Sequence, residues 1–275
     1  MSDTNIELIS TIIEIPEPGE NDVIIRIEAA PINPSDLGVM FSAADMTTAK
    51  QSGSADRPVI TADFPAKFMG AVKNRIGKAI PVGNEGAGTV IAAGSSAAAQ
   101  ALMGKTVAFI GGGSYRKFLR ANVQSCLELE SGTTAVEAAS SFVNPLTALA
   151  MVETMRAEGH KAIVHAAAAS NLGQMLNRIC IADGIDLVNI VRKPEQEALL
   201  RDLGAKYVVN SSSDSFMADL TQALIETGAT IAFDPIGGGR LTSDILTCME
   251  VAVSRDITEY SVYGSTIYKQ VYVYG

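Results

Sequence analysis

From about residue 130 onward the chain alternates short apolar runs with amphipathic stretches, and this rhythm limits the fold more than any other feature. A helix is expected over residues 136–158. Residues 162–166 are a brief apolar run of the kind buried on both faces of a sheet. Leu172, Met175, Leu176, Ile179 and Cys180 follow at helical spacing and make one apolar face. Residues 186–191 read as the next strand. Pro194 at a first helical position, Glu195 and Glu197 in the first turn and Gly204 as the stop define another helix. Residues 207–209 are a third strand, and Ser212 or Ser213 is expected to cap a helix that ends at Gly228. A fourth strand at 230–233, a helix at 241–253 and a fifth strand at 270–274 complete the series. Such alternation specifies an α/β domain, a parallel sheet covered by helices on both faces.

Residues 1–125 read differently. Strands are expected at 23–29 and 105–110, with a glycine-rich stretch at 82–90, and the many glycines suit tight turns between antiparallel strands. A small β-barrel or sandwich follows. The Ala- and Ser-rich residues 92–101 read as a short surface turn.

Composition excludes several classes. A net charge of −9 and an isoelectric point near 4.8 are the reverse of a nucleic-acid surface. No uninterrupted apolar run approaches the roughly 18 residues of a membrane helix, and the first residues lack the basic start and apolar stretch of a signal peptide. Cys126, Cys180 and Cys248 are scattered without metal-type spacing, as expected of a cytoplasmic protein.

The most informative segment is 164–173, where a strand ends, a tight turn follows and a helix begins. That junction aims backbone N–H groups and the helix dipole at a pyrophosphate. Ala168, Ser170 and Gly173 stand where the three glycines of a G-x-G-x-x-G turn would be, with Ala169, Asn171 and Leu172 between them. A plain strand–helix turn has the same look, but the surrounding strand–helix–strand context favours the dinucleotide reading. Nineteen positions past Gly173, where an acid would accept from the ribose 2′-hydroxyl of NAD, stand Arg192 and Lys193. Two cations there match the additional phosphate of NADPH; a solvated basic turn before Pro194 is the alternative.

The chain resembles the medium-chain dehydrogenase/reductase superfamily in its zinc-free quinone oxidoreductase branch. The motifs that carry the resemblance are Ala30-Pro31-Ile32-Asn33-Pro34-Ser35-Asp36, Gly83-Asn84-Glu85-Gly86-Ala87-Gly88, Asn144-Pro145-Leu146-Thr147-Ala148, the nucleotide turn, and Phe233-Asp234-Pro235-Ile236-Gly237-Gly238. The resemblance implies a GroES-like catalytic and substrate domain over 1–125 and a Rossmann NADPH-binding domain over 126–275, with substrate held in the cleft between them. It implies that Asn33 and Thr147 lie near the nicotinamide, Ser170, Asn171 and Leu172 along the pyrophosphate, and Arg192 and Lys193 at the 2′-phosphate. Asn210 and Ser211 are expected on the adenosine side, and Ile236 and Gly237 along the nicotinamide edge. Zinc-binding members carry a Cys in the first motif and a His in the second; here those places hold Asn33-Pro34-Ser35 and Asn84, so no metal is expected. His165 is expected to be a packed, hydrogen-bonded residue. Asn33-Pro34 also fits an Asx turn, the glycines of 83–88 fit a β-bend, and Glu85 is not read as a catalytic acid.

The expected reaction is hydride transfer to a quinone or other conjugated carbonyl, with Asn33 and Tyr115 as the candidate catalytic side chains; Tyr115 could equally serve to pack. One rival is a trans-2-enoyl-thioester reductase. Such enzymes use a tyrosine shortly after the first motif, and this chain has none before Tyr115. In its favour, Lys50, Arg57, Lys67, Lys73, Arg75 and Lys78 crowd a stretch with only Asp56 and Asp63 as acids, where a phosphate-rich handle could dock. That stretch, 41–79, is longer than the family pattern, and its Phe64, Phe68 and Met69 are candidates to cap the substrate pocket; a solvated insertion is the alternative. The other rival is a non-catalytic NADPH-binding protein. Family chains continue past the fifth Rossmann strand, so a fragment or a chain without the last strand is expected. Superfamily dimers, formed by sheet-edge pairing, make a homodimer the expected assembly.

Overall fold

Alternating apolar and polar residues in the first half of the chain give antiparallel strands with a buried face. The computed structural model describes residues 4–255, 257 and 262–274. In chain order the first half forms β1 (Asn5–Ile9), β2 (Asp22–Ala29), α1 (Pro34–Met40), β3 (Asp45–Gly53), β4 (Pro58–Asp63), α2 (Met69–Val72), β5 (Glu85–Ala93), α3 (Ala97–Ala101), β6 (Thr106–Ile110), β7 (Phe118–Asn122), β8 (Cys126–Glu128) and α4 (Ala135–Ala138). Five strands make one antiparallel sheet, ordered β7-β2-β5-β6-β8, and three make another, β1-β4-β3. Register shifts between β2 and β5 curl the larger sheet. Gly88 permits that close crossing, because a β-carbon there would lie 2.0 Å from the Arg26 carbonyl oxygen. Val23, Ile25, Val90, Val107 and Phe109 pack on one side of the sheet with Ala99 and Leu102. On the other side, Ala87 and Ala108 meet Ala135 and Ala138 of α4.

This first compact unit runs from Met1 to Val143 and the second from Asn144 to Gly275. Residues 126–143 therefore fold with the first unit, past the boundary at 125 expected from sequence rhythm, because β8 pairs with β6 and α4 covers the sheet. Residues 92–101 are more than a turn: they contain α3, which Ser96 caps by accepting from the Ala99 N–H at 3.2 Å. Residues 41–79 hold the β3–β4 hairpin and short helical turns, with Phe64 buried and Phe68 exposed.

The second half forms α5 (Val143–Ala157), β9 (Ile163–His165), α6 (Asn171–Asp183), β10 (Leu187–Val191), α7 (Pro194–Asp202), β11 (Tyr207–Asn210), α8 (Phe216–Thr227), β12 (Ile231–Asp234), α9 (Leu241–Ser254) and β13 (Gln270–Val273). All five strands run parallel in the order β11-β10-β9-β12-β13. Ile163, Leu187, Ile231 and Phe233 face α5 and α6. Val164, Val188, Ile190 and Ala232 face Leu220 and Leu224 of α8 and Ile245 and Met249 of α9. Each such large aliphatic side chain contributes about 2 kcal/mol of burial, and the two filled faces make the doubly wound sheet expected from the sequence.

Two helix expectations change. The helix expected over 136–158 is broken at 139–142 into α4 and α5. Residues 135–157 have the length and hydropathy of a membrane-crossing helix, yet Ala148, Met151, Val152 and Met155 are buried in the core of the second unit. The N-cap of α8 is Ser215, with Ser213 Oγ 2.8 Å from its hydroxyl; Gly228 ends that helix in a left-handed conformation, as expected.

Candidate functional site

β9 lies between β10 and β12, and the chain winds away from it in opposite directions on the two sides. At such a switch point the loops leaving the carboxyl ends of the strands diverge and open a crevice. The segments after β9, β10, β11 and β12 therefore share one edge of the sheet. They carry Ala168 to Gly173, Arg192 and Lys193, Asn210 and Ser211, and Ile236 and Gly237 respectively. The short return from α5 to the start of β9 makes α5 antiparallel to that strand, so half-buried Thr147, early in α5, lies towards the same edge.

The turn after β9 is tightly built. Ala167 adopts a left-handed conformation with φ 51°, and the N–H of buried Ala168 donates to the Ile190 carbonyl at 3.1 Å. A β-carbon on Gly173 would lie 2.2 Å from the Ala168 carbonyl oxygen, so only glycine lets α6 start this close to the strand. Ser170 caps α6 by accepting from the Gly173 N–H at 3.1 Å. The Asn171 and Leu172 N–H groups are first-turn donors with no carbonyl partner inside the helix. With the dipole of a 13-residue helix behind them, these donors suit an anion such as a pyrophosphate. The residues fit that group.

Arg192 and Lys193 are exposed between β10 and α7, and neither is in an ion pair among the described residues. Their loop is held by backbone: the Arg192 N–H donates to Gln196 Oε1 at 3.0 Å. Ser211 ties β11 to β10, its N–H and hydroxyl both donating to the Val191 carbonyl, while Asn210 Oδ1 accepts from the Ser212 N–H. After β12, buried Asp234 fixes the turn that presents Ile236, accepting from the Ile236 N–H at 2.9 Å and the Thr242 hydroxyl at 2.8 Å. Gly237, at φ 62°, has no room for a β-carbon beside Val273.

His165 ends β9 fully buried, its Nε2 2.7 Å from the Tyr274 hydroxyl. Burial lowers its pKa to about 4, with Asp234 opposing the shift. It is packed and neutral, as its sequence context suggests.

Asn33, Tyr115 and the glycine motif belong to the first unit. Asn33 caps α1, is 4% exposed, and is gripped by two carboxylates. Its backbone N–H donates to Asp36 Oδ2 at 2.8 Å and its side-chain Nδ2 to Glu85 Oε1 at 2.9 Å. The Asp36 contact is half of a capping box, readable as an Asn followed three residues later by an acid. The Glu85 contact spans 52 positions and leaves no local trace. Tyr115 lies beside this group, its hydroxyl donating to the Pro31 carbonyl at 2.7 Å. Burial, reinforced by the nearby Asp36, pushes the phenol up to about 12. The hydroxyl thus stays protonated and holds the segment that leads into Asn33. In the second motif, Asn84 Nδ2 donates to Ser35 Oγ at 3.1 Å. No group of three or more His, Cys, Asp or Glu side chains able to hold a metal occurs among the described residues.

No protein-family model matches the chain. Mouse prostaglandin reductase-3 is 24% identical over 226 residues, 82% of this chain and 52% of that protein. Mouse mitochondrial enoyl-[acyl-carrier-protein] reductase is 30% identical over 195 residues, 69% of this chain and 45% of that protein. The chain thus spans about half the length of these curated relatives. A Mesorhizobium loti structure described as a candidate NADPH:quinone reductase superposes with a TM-score of 0.64 at 31% identity, covering 86% of this chain and 62% of that one.

Proposed function

Since the chain belongs to the medium-chain dehydrogenase/reductase superfamily, with its GroES-like and Rossmann units, we propose that it binds NADPH and reduces a quinone or other conjugated carbonyl without zinc. The observation that carries this reading is the β9–α6 junction, where Gly173 lets α6 begin hard against the Ala168 carbonyl, together with two exposed cations at the end of β10. The relative's description as a candidate NADPH:quinone reductase supports it.

In this reading Ser170, Asn171 and Leu172, with Ala168, Ala169 and Gly173 beneath them, hold the pyrophosphate. Arg192 and Lys193 pair with the 2′-phosphate, and Asn210 and Ser211 border the adenosine. Thr147, Ile236 and Gly237 orient the nicotinamide. When bound, NADPH supplies the hydride, and a proton from solvent completes the reduced acceptor. Asn33 is assigned to the substrate by its motif, and Tyr115 secures the segment that leads into it. A conjugated acceptor needs only hydrogen bonding at its oxygen, which fits an amide where zinc-binding members carry a thiolate. A homodimer and a cytoplasmic setting are part of the same proposal.

A second reading, an enoyl-thioester reductase, draws on the mitochondrial relatives and on the exposed Lys50, Arg57, Lys67, Lys73 and Lys78. The experiment is to follow NADPH consumption by the full chain against quinones, enones and enoyl thioesters. Turnover with the first two supports the main reading, and turnover confined to thioesters replaces it. Binding without turnover makes the chain a non-catalytic NADPH binder.

A further inference from the structure

The two cations at the end of β10 stand on a short bend. β10 stops at Val191 and nine-residue α7 begins at Pro194, which has no N–H to satisfy. Between them Lys193 is the N-cap, extended at φ −133° and ψ 145°, and its side chain makes no cap bond. An ammonium carries donors only, so it has nothing to offer the first-turn N–H groups. The bend is held from inside the helix. Gln196, half-buried at the third helical position, accepts from the Arg192 N–H through Oε1 at 3.0 Å. Its own N–H donates back to the Lys193 carbonyl at 3.1 Å. A backbone N–H requires an oxygen, so the bond to Arg192 also fixes which end of the carboxamide faces the chain. The NH2 end is left over, without a hydrogen-bond partner among the described residues.

Glu and Gln can both make this bond, but only Glu would also gain from the positive end of the helix dipole. The adjacent positions do hold acids, Glu195 and Glu197, and Glu197 is turned along the helix onto Arg201 at 2.9 Å. Gln196 supplies the acceptor without the charge. We propose that Gln196 is a specificity-determining residue for the phosphorylated dinucleotide: its oxygen sets the backbone of Arg192, and its neutrality leaves the two cations to the phosphate. The inference rests on the reading above, in which Arg192 and Lys193 pair with the 2′-phosphate. A carboxylate at this position would compete for those cations and repel a phosphate bound to them. NADH, which lacks that phosphate, would lose nothing.

Gln196→Glu separates the two duties, because it keeps the bond to the Arg192 N–H and adds the charge. The full chain, unaltered and as Gln196→Glu and Gln196→Ala, is titrated with NADPH and with NADH by fluorescence of the reduced nicotinamide. Exchange of the Arg192 amide proton is followed by nuclear magnetic resonance. That proton should exchange about five-fold more slowly in the unaltered protein and in Gln196→Glu than in Gln196→Ala. Gln196→Glu should melt no lower than the unaltered protein and yet bind NADPH about five-fold or more weakly. Its NADH Kd should move less than about two-fold, and the NADPH loss should shrink in about 1 M salt. A residue that only shaped the bend would be fully rescued by Glu, so an unchanged preference for NADPH in Gln196→Glu overturns the inference. Equal exchange of the Arg192 proton in all three proteins overturns it as well. An unaltered protein that binds NADH as tightly as NADPH removes the 2′-phosphate reading itself, and the inference falls with it.

Discussion

In the Asn144–Gly275 unit the candidate residues are placed by backbone, whereas in the Met1–Val143 unit they are placed by side chains far apart in sequence. The parallel sheet delivers four loops to one edge by topology alone, and within them the decisive contacts are a glycine against a carbonyl and a serine cap. In the antiparallel unit, Asn33 owes its setting to Asp36 and to Glu85, which is itself anchored to backbone near residue 142. The difference teaches where each unit is vulnerable. The first kind of site fails when the chain path is disturbed; the second fails when one buried charge is altered.

The largest effect is expected where backbone has no slack. Gly173→Val should destabilise the protein by about 3 kcal/mol or more and abolish NADPH binding, as thermal denaturation and fluorescence titration would show. A stable variant that still binds the dinucleotide would break the comparison. Next comes the replacement of Arg192 and Lys193 together by alanine, which should weaken NADPH about 100-fold and leave NADH unaffected in calorimetric titration. Equal losses for both dinucleotides would show that the two cations shape the loop and do not read a phosphate.

A smaller effect concerns His165. Its pKa is near 4 when folded, below the ordinary value of 6.5, so the unfolded chain takes up the proton first on acidification. The stability linked to neutral His165 is therefore fully present above about pH 6.5 and is lost as pH falls towards 4. His165→Asn should flatten that slope, measured by urea unfolding at about pH 7 and about pH 5. The smallest effect is expected at Ser96, whose replacement by alanine removes the cap of α3 and should cost about 1 kcal/mol, seen as a lower urea midpoint. A much larger loss would mean that local backbone bonds, and not only distant side chains, govern the first unit.

Much of the second unit was legible because its signals are local. Apolar runs mark β9 to β13, Pro194 and Gly204 bracket α7, and Leu176 and Cys180 fall on the buried face of α6. Even the tight turn before α6 could be read from small residues at 168, 170 and 173. The first unit hid its organisation. The Ala-rich α3 looked like a turn because alanine, with no large apolar side chain, gives periodicity little to register, and only Ser96 hinted at a helix start. Residues 41–79 concealed a hairpin whose pairing with β1 is a long-range event. Apolar spacing carried straight through 139–142, where the Phe142 and Val143 N–H groups meet a carboxylate more than 50 positions earlier. Asn33 was recognisable from its motif, but its partner Glu85 was not, because no local pattern reports a bond from a helix cap to a strand 52 positions away.

The central claim is that the β9–α6 junction and the cations beyond β10 hold a phosphorylated dinucleotide. Titrating the full chain with NADPH, followed by the fluorescence of the reduced nicotinamide and repeated with NADH, tests this most directly. Saturable NADPH binding with NADH at least about ten-fold weaker is the expected result. Tighter binding of NADH, or no binding of either, would contradict it.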